Sequence, residues 1–391
     1  MFGGYYILLF IFLNLIGGSS NIITIPIRVF ILFLLFFLMI MRNNGIRAIE
    51  DTLMKLFSFL YVLRIFYELL QGNNDYHIST TLFLFYFLGF VFIPFLLISN
   101  TSYDIKNLKQ IYNSILSSSV LFALSAIYFL SSFIGQQVGR ISQIIERGSD
   151  NYFSPLSMSA CGALGVLLSL SFFMTTKEIR FTKKILVLLV IILCFIPLIL
   201  GASKGSFVAL LIAISFIFFY LKGFTKKIWF LVFLLPLIII VSYLIESIGS
   251  NIIGRFMDIG ESIDTGKRSS GIRVEIWKAC INQFIYNPIF GNSLESEYLG
   301  YKPHNLFLEI MVSTGLFGLI PFLFLISRCF KIAIKIVKKF PSYSWISGLF
   351  IFNFIISLFS GSLYSATWLF ISIALLISFK KNILSNNISN S

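Results

Sequence analysis

Charged residues are scarce in this sequence, and their scarcity excludes a water-soluble fold. Asp, Glu, Lys and Arg make up 12% of the 391 residues, whereas hydrophobic residues make up 58%. A soluble domain carries about 25% charged residues. A soluble chain of this length could not bury so large a share of apolar surface. The composition therefore predicts an integral membrane protein.

Cysteine is also scarce, and the spacing of the four cysteines argues against a disulfide framework or a zinc site. The four cysteines have no C-x-x-C spacing, so we expect them to be small buried hydrophobic residues. They are Cys161, Cys194, Cys280 and Cys329. No G-x-x-x-x-G-K-[ST] motif is present, so nothing in the sequence indicates a nucleotide-driven pump. Glu295 and Glu297 lack a third ligand, and we expect neither a metal nor another cofactor.

Long apolar runs dominate what remains. A helix needs about 20 apolar residues to cross a bilayer. Twelve runs approach or reach this length, and some are short. They cover approximately residues 4–17, 22–41, 53–70, 79–99, 111–134, 153–174, 185–200, 203–221, 228–247, 304–327, 345–362 and 364–379.

The distribution of basic residues supports this count. The net charge is +14, but no basic domain exists, which argues against nucleic acid as a partner. Lys and Arg instead cluster in alternate connectors, as they do on the cytoplasmic side of membrane proteins. The pattern fits about 12 transmembrane helices with both termini in the cytoplasm. The basic connectors carry Arg42 and Arg47; Lys106 and Lys109; Lys177, Arg180, Lys183 and Lys184; Lys222, Lys226 and Lys227; and Arg328, Lys331, Lys335, Lys338 and Lys339.

The predicted organisation has three parts. Residues 1–247 form an N-terminal transmembrane bundle of about nine spans, residues 248–303 form one long outward loop, and residues 304–391 form C-terminal transmembrane helices with a cytoplasmic tail. Within the loop, SGIRVEIWKACINQFIYNP predicts a short amphipathic helix that Pro288 stops. This helix lies on the membrane face or caps the bundle. No repeat of six plus six spans is visible, which counts against a transporter built from repeats.

A histidine at the edge of an apolar run is the first candidate for chemistry. His304 is one of two histidines, and Asn305 is a suitable N-cap for the helix that follows. Glu309 lies one turn later inside the run, where a carboxylate is costly and usually functional. Gly315 and Gly318 allow close packing of that helix. The alternative is an interfacial histidine that only caps a span.

Two cations and one ion pair complete the candidates. Lys204 lies in the small-residue turn GASKGS before a helix, an arrangement that binds phosphate. The alternative is that its side chain reaches lipid headgroups. Arg273 opens the loop helix and, taken alone, means little. Arg64 and Glu68 are four residues apart, which predicts a local ion pair on one helical face.

Three stretches resemble those of a known family. HNLFLEIMVSTGLFG resembles the motif His-[Asn/Ser/Gln]-x9-Gly-x-x-Gly, with His304, Asn305, Gly315 and Gly318 in the motif positions. SSGIRVEIWKACINQFIYNPIFGNS is similar to the family's helix with a Gly/Arg start and an Asn-Pro-Φ-Φ-Gly exit. ASKGSFVALL is similar to its Ser-Arg-Gly stretch. Together they resemble the O-antigen polymerase and ligase superfamily over roughly residues 195–330.

The resemblance implies a fold and a reaction. The fold is an all-α polytopic membrane protein similar to the GT-C class of glycosyltransferases. The reaction is a metal-independent, inverting glycosyl transfer on the outer face of the bacterial inner membrane, with a glycan on undecaprenyl diphosphate as donor. A lipid-linked oligosaccharide, the bilayer and a chain-length regulator are the implied partners.

The resemblance also implies roles for particular residues. His304 and Arg273 are the catalytic residues, and Arg273 also binds the diphosphate with Lys204 and Arg147. Asn305, Glu309, Gly315 and Gly318 support them. Lys204 departs from the family, which usually has arginine there, and RGSDNYFSP is a degenerate form of the stretch that suggests Arg147.

The resemblance favours a polymerase of O-antigen or capsular polysaccharide repeat units. A ligase, which moves the glycan to lipid A-core, is the nearest alternative. A flippase for lipid-linked oligosaccharides is the alternative from another functional class.

Overall fold

Helices make up most of the part of the chain that the structure describes. The computed structural model describes residues 51–72, 76, 78–100, 105–130, 155–176, 180–223, 269–297 and 302–381, with isolated helical positions between 29 and 37 and at 243 and 245. These ranges contain no strand. Their helices are α1 (Thr52–Gln71), α2 (Thr80–Asn100), α3 (Ile105–Leu130), α4 (Pro155–Thr175), α5 (Phe181–Gly201), α6 (Lys204–Tyr220), α7 (Ser269–Tyr286), α8 (Leu306–Lys339), α9 (Ser344–Phe359) and α10 (Thr367–Phe379).

The helices coincide with the predicted apolar runs in the described ranges. Six of them, α2, α3, α4, α5, α8 and α9, are long and apolar enough to cross a bilayer, and α6 and α10 are shorter apolar helices. A polytopic α-helical membrane protein is therefore confirmed. The runs at 4–17 and 228–247 lie outside the described residues, as does most of the run at 22–41. The count of twelve spans, the three-part organisation and the long loop stay predictions.

Basic residues that we expected in connectors lie on helix ends. Helix α8 continues to Lys339, twelve residues beyond the predicted end of its apolar run. Lys and Arg have high helix propensity, and their long side chains reach polar surroundings from a helical backbone. The connector between α8 and α9 is accordingly short. Residues Pro341–Tyr343 form a 3-10 turn directly before α9.

The chain divides into two compact units, and the first contains residues Met1–Leu35, Tyr103–Phe256 and Ala333–Phe352. Helix α4 packs against α3, α5 and α6 in this unit. A Cβ added at Gly162 would lie 2.5 Å from the carbonyl oxygen of Cys194, so α4 and α5 touch at their backbones. Such close contact between spanning helices depends on small residues.

The second unit contains residues Phe36–Ser102, Met257–Ile332 and Asn353–Ser391. Aromatic rings hold α1 within it, because the ring centroid of Phe57 lies 5.2 Å from that of Phe322 and 6.4 Å from that of Phe370. Asp51 caps α1 by accepting hydrogen bonds from the next helical N–H groups. Its other oxygen accepts a 2.6 Å hydrogen bond from Arg328.

The cysteines behave as predicted. All four are free and buried. Cys280 packs with Ile276, Leu308 and Val312 in a small core between α7 and α8. They serve as hydrophobic packing groups.

Candidate active site

The start of helix α8 fixes the backbone around His304. Asn305 accepts hydrogen bonds at its side-chain oxygen from Phe307 N, at 3.0 Å, and from Leu308 N, at 3.3 Å, which confirms the predicted N-cap. His304 precedes this cap and adopts the left-handed conformation, with φ of 52°. Such a conformation is uncommon for a residue other than glycine and tends to occur at functional sites. The imidazole is half-buried.

Helix α7 lies beside the same turn. The indole N–H of Trp277 donates a 2.8 Å hydrogen bond to the carbonyl of Pro303, the residue before His304. Arg273 lies one turn earlier than Trp277, and residues four apart share a helical face. The hydrogen bond therefore brings Arg273 and His304 into one region of the second unit.

Arg273 already has a partner in this structure. Its guanidinium donates a 2.9 Å hydrogen bond to the carbonyl of Phe359, the last residue of α9. Carbonyls at the C-terminal end of a helix carry partial negative charge, so a cation is favourable there. Burial lowers the pKa of Arg273 from its ordinary value. The guanidinium nevertheless stays charged at neutral pH, because an arginine pKa starts above 12.

Glu309 holds the other end of the segment that follows α9. Its side chain is fully buried, and one carboxylate oxygen accepts a 2.9 Å hydrogen bond from Leu363 N. The other oxygen has no hydrogen-bond partner in the part of the chain that the structure describes. Residues 359–363 are thus tied at one end to Arg273 and at the other to Glu309. We call this segment the α9–α10 loop.

Helix α8 is interrupted at Gly315, where φ is 57° and ψ is −153°. Residues 288–291, which follow α7, fit into the interruption: Leu316 N donates to Pro288 O at 2.8 Å and Phe317 N donates to Ile289 O at 3.3 Å. A Cβ at Gly315 would overlap the carbonyl group of Ile289. We expected this glycine inside an unbroken helix. The close approach that we predicted occurs, but between α8 and a loop.

The second motif glycine lies after the interruption. A Cβ at Gly318 would lie 2.5 Å from the Cβ of Thr314 on the preceding turn. Both motif glycines therefore occupy positions where a larger residue would require rearrangement.

An internal ion pair supports the loop after α7 from α1. Arg64 and Glu68 form the predicted ion pair, four residues apart and largely buried. Arg64 also makes a long, 3.5 Å hydrogen bond to the carbonyl of Gly291. The hydroxyl of Tyr76 accepts from Leu294 N at 3.4 Å. Burial, together with the negative charge of Glu68, raises the pKa of Tyr76 to about 12, so the phenol stays neutral.

The turn before Lys204 is built as its small residues suggest. Ala202 is left-handed, with φ of 43°, and Ser203 N donates a 3.1 Å hydrogen bond to the hydroxyl of Ser159 on α4. That hydroxyl donates in turn to Leu198 O. The turn is therefore fixed, and half-buried Lys204 starts helix α6. Lys204 belongs to the first unit, whereas Arg273 and His304 belong to the second, so their convergence stays a prediction.

The region that contains these residues is similar to a known family. Residues 188–323 match the model of a protein family described as O-antigen ligase. This region is therefore similar to the O-antigen polymerase and ligase superfamily. The matched region covers about a third of the chain and includes Lys204, Arg273 and the whole motif from His304 to Gly318. No curated protein and no solved structure matched the chain.

Two of the three expected site residues lie in one unit, the second. Arg273 and His304 are joined through Trp277 and Pro303. Arg147, the additional cation, lies outside the described residues.

The α9–α10 loop is the part of this site that the sequence pattern did not predict. The predicted runs at 345–362 and 364–379 left only one residue between them. The signal was present, because Ser360, Gly361 and Ser362 resemble the small-residue turn before Lys204. Gly361 has φ of 90°, which a turn of this kind requires.

Proposed function

We propose that the chain is a polysaccharide polymerase that joins repeat units carried on undecaprenyl diphosphate. The hydrogen bond between Trp277 and Pro303 supports this most directly, because it ties the helix that carries the Arg273 guanidinium to the residue before the His304 imidazole. A cation for a leaving diphosphate and a group that can accept a hydroxyl proton are what this transfer requires. The proposed setting is the outer face of a bacterial inner membrane, with both termini in the cytoplasm and a chain-length regulator as a further partner.

Charge stabilisation is the first element of the proposed mechanism. When the anomeric C–O bond of the donor breaks, the electron pair goes to the diphosphate oxygen, and negative charge grows there. Arg273 is proposed to stabilise this charge, and Lys204 and Arg147 are proposed to add to it. Preorganised cations act most strongly in a partly dry site. No metal has a role in this proposal.

Activation of the acceptor is the second element. His304 accepts or positions the proton of the sugar hydroxyl that attacks the anomeric carbon. A general base contributes roughly 10²–10⁴-fold. Because the diphosphate is a good leaving group, we propose that charge stabilisation and positioning contribute more than the base. Attack from the face opposite the diphosphate inverts the anomeric configuration.

Two further candidates are distinguished by their products. The matching family model is described as O-antigen ligase, which favours the ligase as the second candidate. A ligase transfers the glycan once, to lipid A-core, whereas a polymerase extends it. A flippase, the candidate from another class, needs polar residues along a path across the membrane. Arg273 and His304 lie instead at helix ends.

The experiment is turnover by the purified protein in lipid. Defined undecaprenyl-diphosphate glycan is supplied with and without lipid A-core and with and without a chelator, and products are separated on a gel. A ladder that survives the chelator supports the polymerase. A single transfer to lipid A-core supports the ligase, and the absence of both products contradicts glycosyl transfer.

Substitutions connect the activity to the site. We expect His304→Ala and Arg273→Ala each to abolish polymer formation while the protein still inserts and folds. Lys278→Ala is the matched control, because Lys278 is exposed on the same helix and pairs only with Glu275 among the contacts of the described residues. Normal polymer length from either site variant would remove that residue from the mechanism. In cells, loss of a polymerase leaves single repeat units on the surface, whereas loss of a flippase leaves none.

A further inference from the structure

The residues that fit into the break in helix α8 lie at a distance from one edge of the membrane core that can be worked out from the helix geometry. Helix α8 carries five basic residues in its last turns: Arg328, Lys331, Lys335, Lys338 and Lys339. Charged side chains are costly in hydrocarbon, so the membrane core ends near Arg328. At 1.5 Å per residue, Leu316 lies about 18 Å above Arg328. Leu316 is the residue that donates to Pro288 O.

Helix α1 gives a similar distance along a second helix. Its N-cap, Asp51, is paired with Arg328 and therefore marks the same boundary. Arg64 lies thirteen residues further along α1, about 20 Å from Asp51. Arg64 is the residue that donates to Gly291 O. Both helices thus place residues 288–291 about 20 Å from one boundary of a hydrocarbon core that is about 30 Å thick.

We propose that residues 285–291 form a re-entrant loop that enters the bilayer and contacts the lipid chains. The loop would lie about 10 Å inside the opposite boundary of the core. This differs from the sequence-based expectation, in which the whole of residues 248–303 was an outward loop. The inference concerns membrane contact and does not depend on the reaction that the protein catalyses.

Several backbone groups of this segment have partners within the protein, which favours its placement in a bilayer. Irregular backbone is tolerated at membrane depth only where its polar groups have partners in the protein. The carbonyls of Pro288, Ile289 and Gly291 accept from Leu316 N, Phe317 N and Arg64 respectively. After the loop, Asn292 N donates to Val312 O at 2.9 Å. Pro288 itself has no N–H group that would need a partner.

Three exposed side chains of the loop are apolar and lie alongside exposed Tyr286 and Asn287. Ile285, Ile289 and Phe290 are 63%, 52% and 64% exposed. The ring of Phe290 stacks on that of Phe317, with centroids 4.9 Å apart, and Phe317 is itself exposed on α8. The loop and the spanning helix therefore share one continuous apolar surface. At this depth the bilayer lipid is the partner whose chemistry fits it.

The test measures the depth of nitroxide labels in proteoliposomes. Phe290→Cys is the test position, Ile320→Cys on the exposed face of α8 is the lipid reference, and Lys278→Cys on α7 is the aqueous reference. The four native cysteines are buried, so the unsubstituted protein taken through the same labelling serves as the blank. Collisions with oxygen, which concentrates in hydrocarbon, are compared with collisions with a water-soluble nickel chelate.

We expect the oxygen-to-nickel ratio for Phe290→Cys to match that for Ile320→Cys and to exceed that for Lys278→Cys severalfold. A ratio equal to the Lys278→Cys value would overturn the proposal. Because loss of the ring stack could disturb the loop, Ile289→Cys is measured as a second position. Ile289 is also exposed and takes no part in the stack of Phe290 on Phe317, and the same two outcomes apply to it.

Discussion

Substitution of Gly315 by alanine provides the sharpest test of the interrupted helix. The backbone at Gly315 has φ of 57° and ψ of −153°, a region that is essentially restricted to glycine. An added Cβ would overlap the carbonyl group of Ile289 and lie 2.7 Å from Gly291 N. Neither neighbour is the flexible end of a side chain, so the loop itself would have to move.

The structure allows the size of this effect to be worked out. Backbone strain of this kind costs on the order of 1–3 kcal/mol. Forcing an extra carbon into a packed site costs about 1–3 kcal/mol more. We therefore expect Gly315→Ala to lower the free energy of unfolding by about 2–6 kcal/mol, measured by thermal unfolding in detergent.

Two control variants separate strain from overlap. Gly72 also has positive φ, 69°, but a Cβ there meets nothing within 4 Å, so Gly72→Ala carries only the left-handed cost of roughly 1–2 kcal/mol. Gly89 has neither a positive φ nor a close neighbour, and Gly89→Ala should not destabilise the protein. If Gly315→Ala proves no less stable than Gly72→Ala, the packing of residues 288–291 into α8 is refuted.

Three further predictions concern the site. Glu309→Ala removes the acceptor for Leu363 N and should lower the free energy of unfolding by about 1–3 kcal/mol, measured by thermal unfolding. Glu309→Gln keeps an oxygen acceptor and should retain most of that stability. Equal losses in the two variants would show that this hydrogen bond contributes nothing. Trp277→Phe removes the donor to Pro303. In the turnover assay it should lower kcat and leave KM nearly unchanged, because it loosens the position of the imidazole. An unchanged kcat would contradict the positioning argument. Lys204→Arg should retain polymer formation and Lys204→Glu should lose it, because the proposed diphosphate contact needs positive charge, and an active glutamate variant would exclude that contact.

The helices could be predicted because their cause is local. Apolar residues in runs of sufficient length can only be accommodated by spanning helices, so the boundaries of α2 follow from composition. The cap at Asn305 was predictable for the same reason, since the side chain and the N–H groups that it binds are two and three residues apart. The ion pair of Arg64 and Glu68 likewise follows from helical spacing.

The features that were missed have causes distant in the sequence. The break at Gly315 is filled by Pro288 and Ile289, more than twenty residues earlier, and no local pattern specifies that contact. The α9–α10 loop is held by Arg273 and Glu309, which come from two other helices. In that region the hydropathy profile shows only a gap between two apolar runs. The membrane depth that we propose for residues 285–291 has a related cause, because the polarity of a segment does not reveal where a tertiary contact carries it.

The hydrogen bond between Arg273 and Phe359 O has a consequence for binding equilibria. An anion that binds this guanidinium must displace the carbonyl oxygen of Phe359. The measured affinity of the anion therefore reflects the difference in free energy between the two contacts. The exchange also frees one end of residues 359–363, which couples occupancy by an anion to mobility of that segment. When the anion departs, the cation returns to the carbonyl, so the resting state does not depend on a counter-ion from solution.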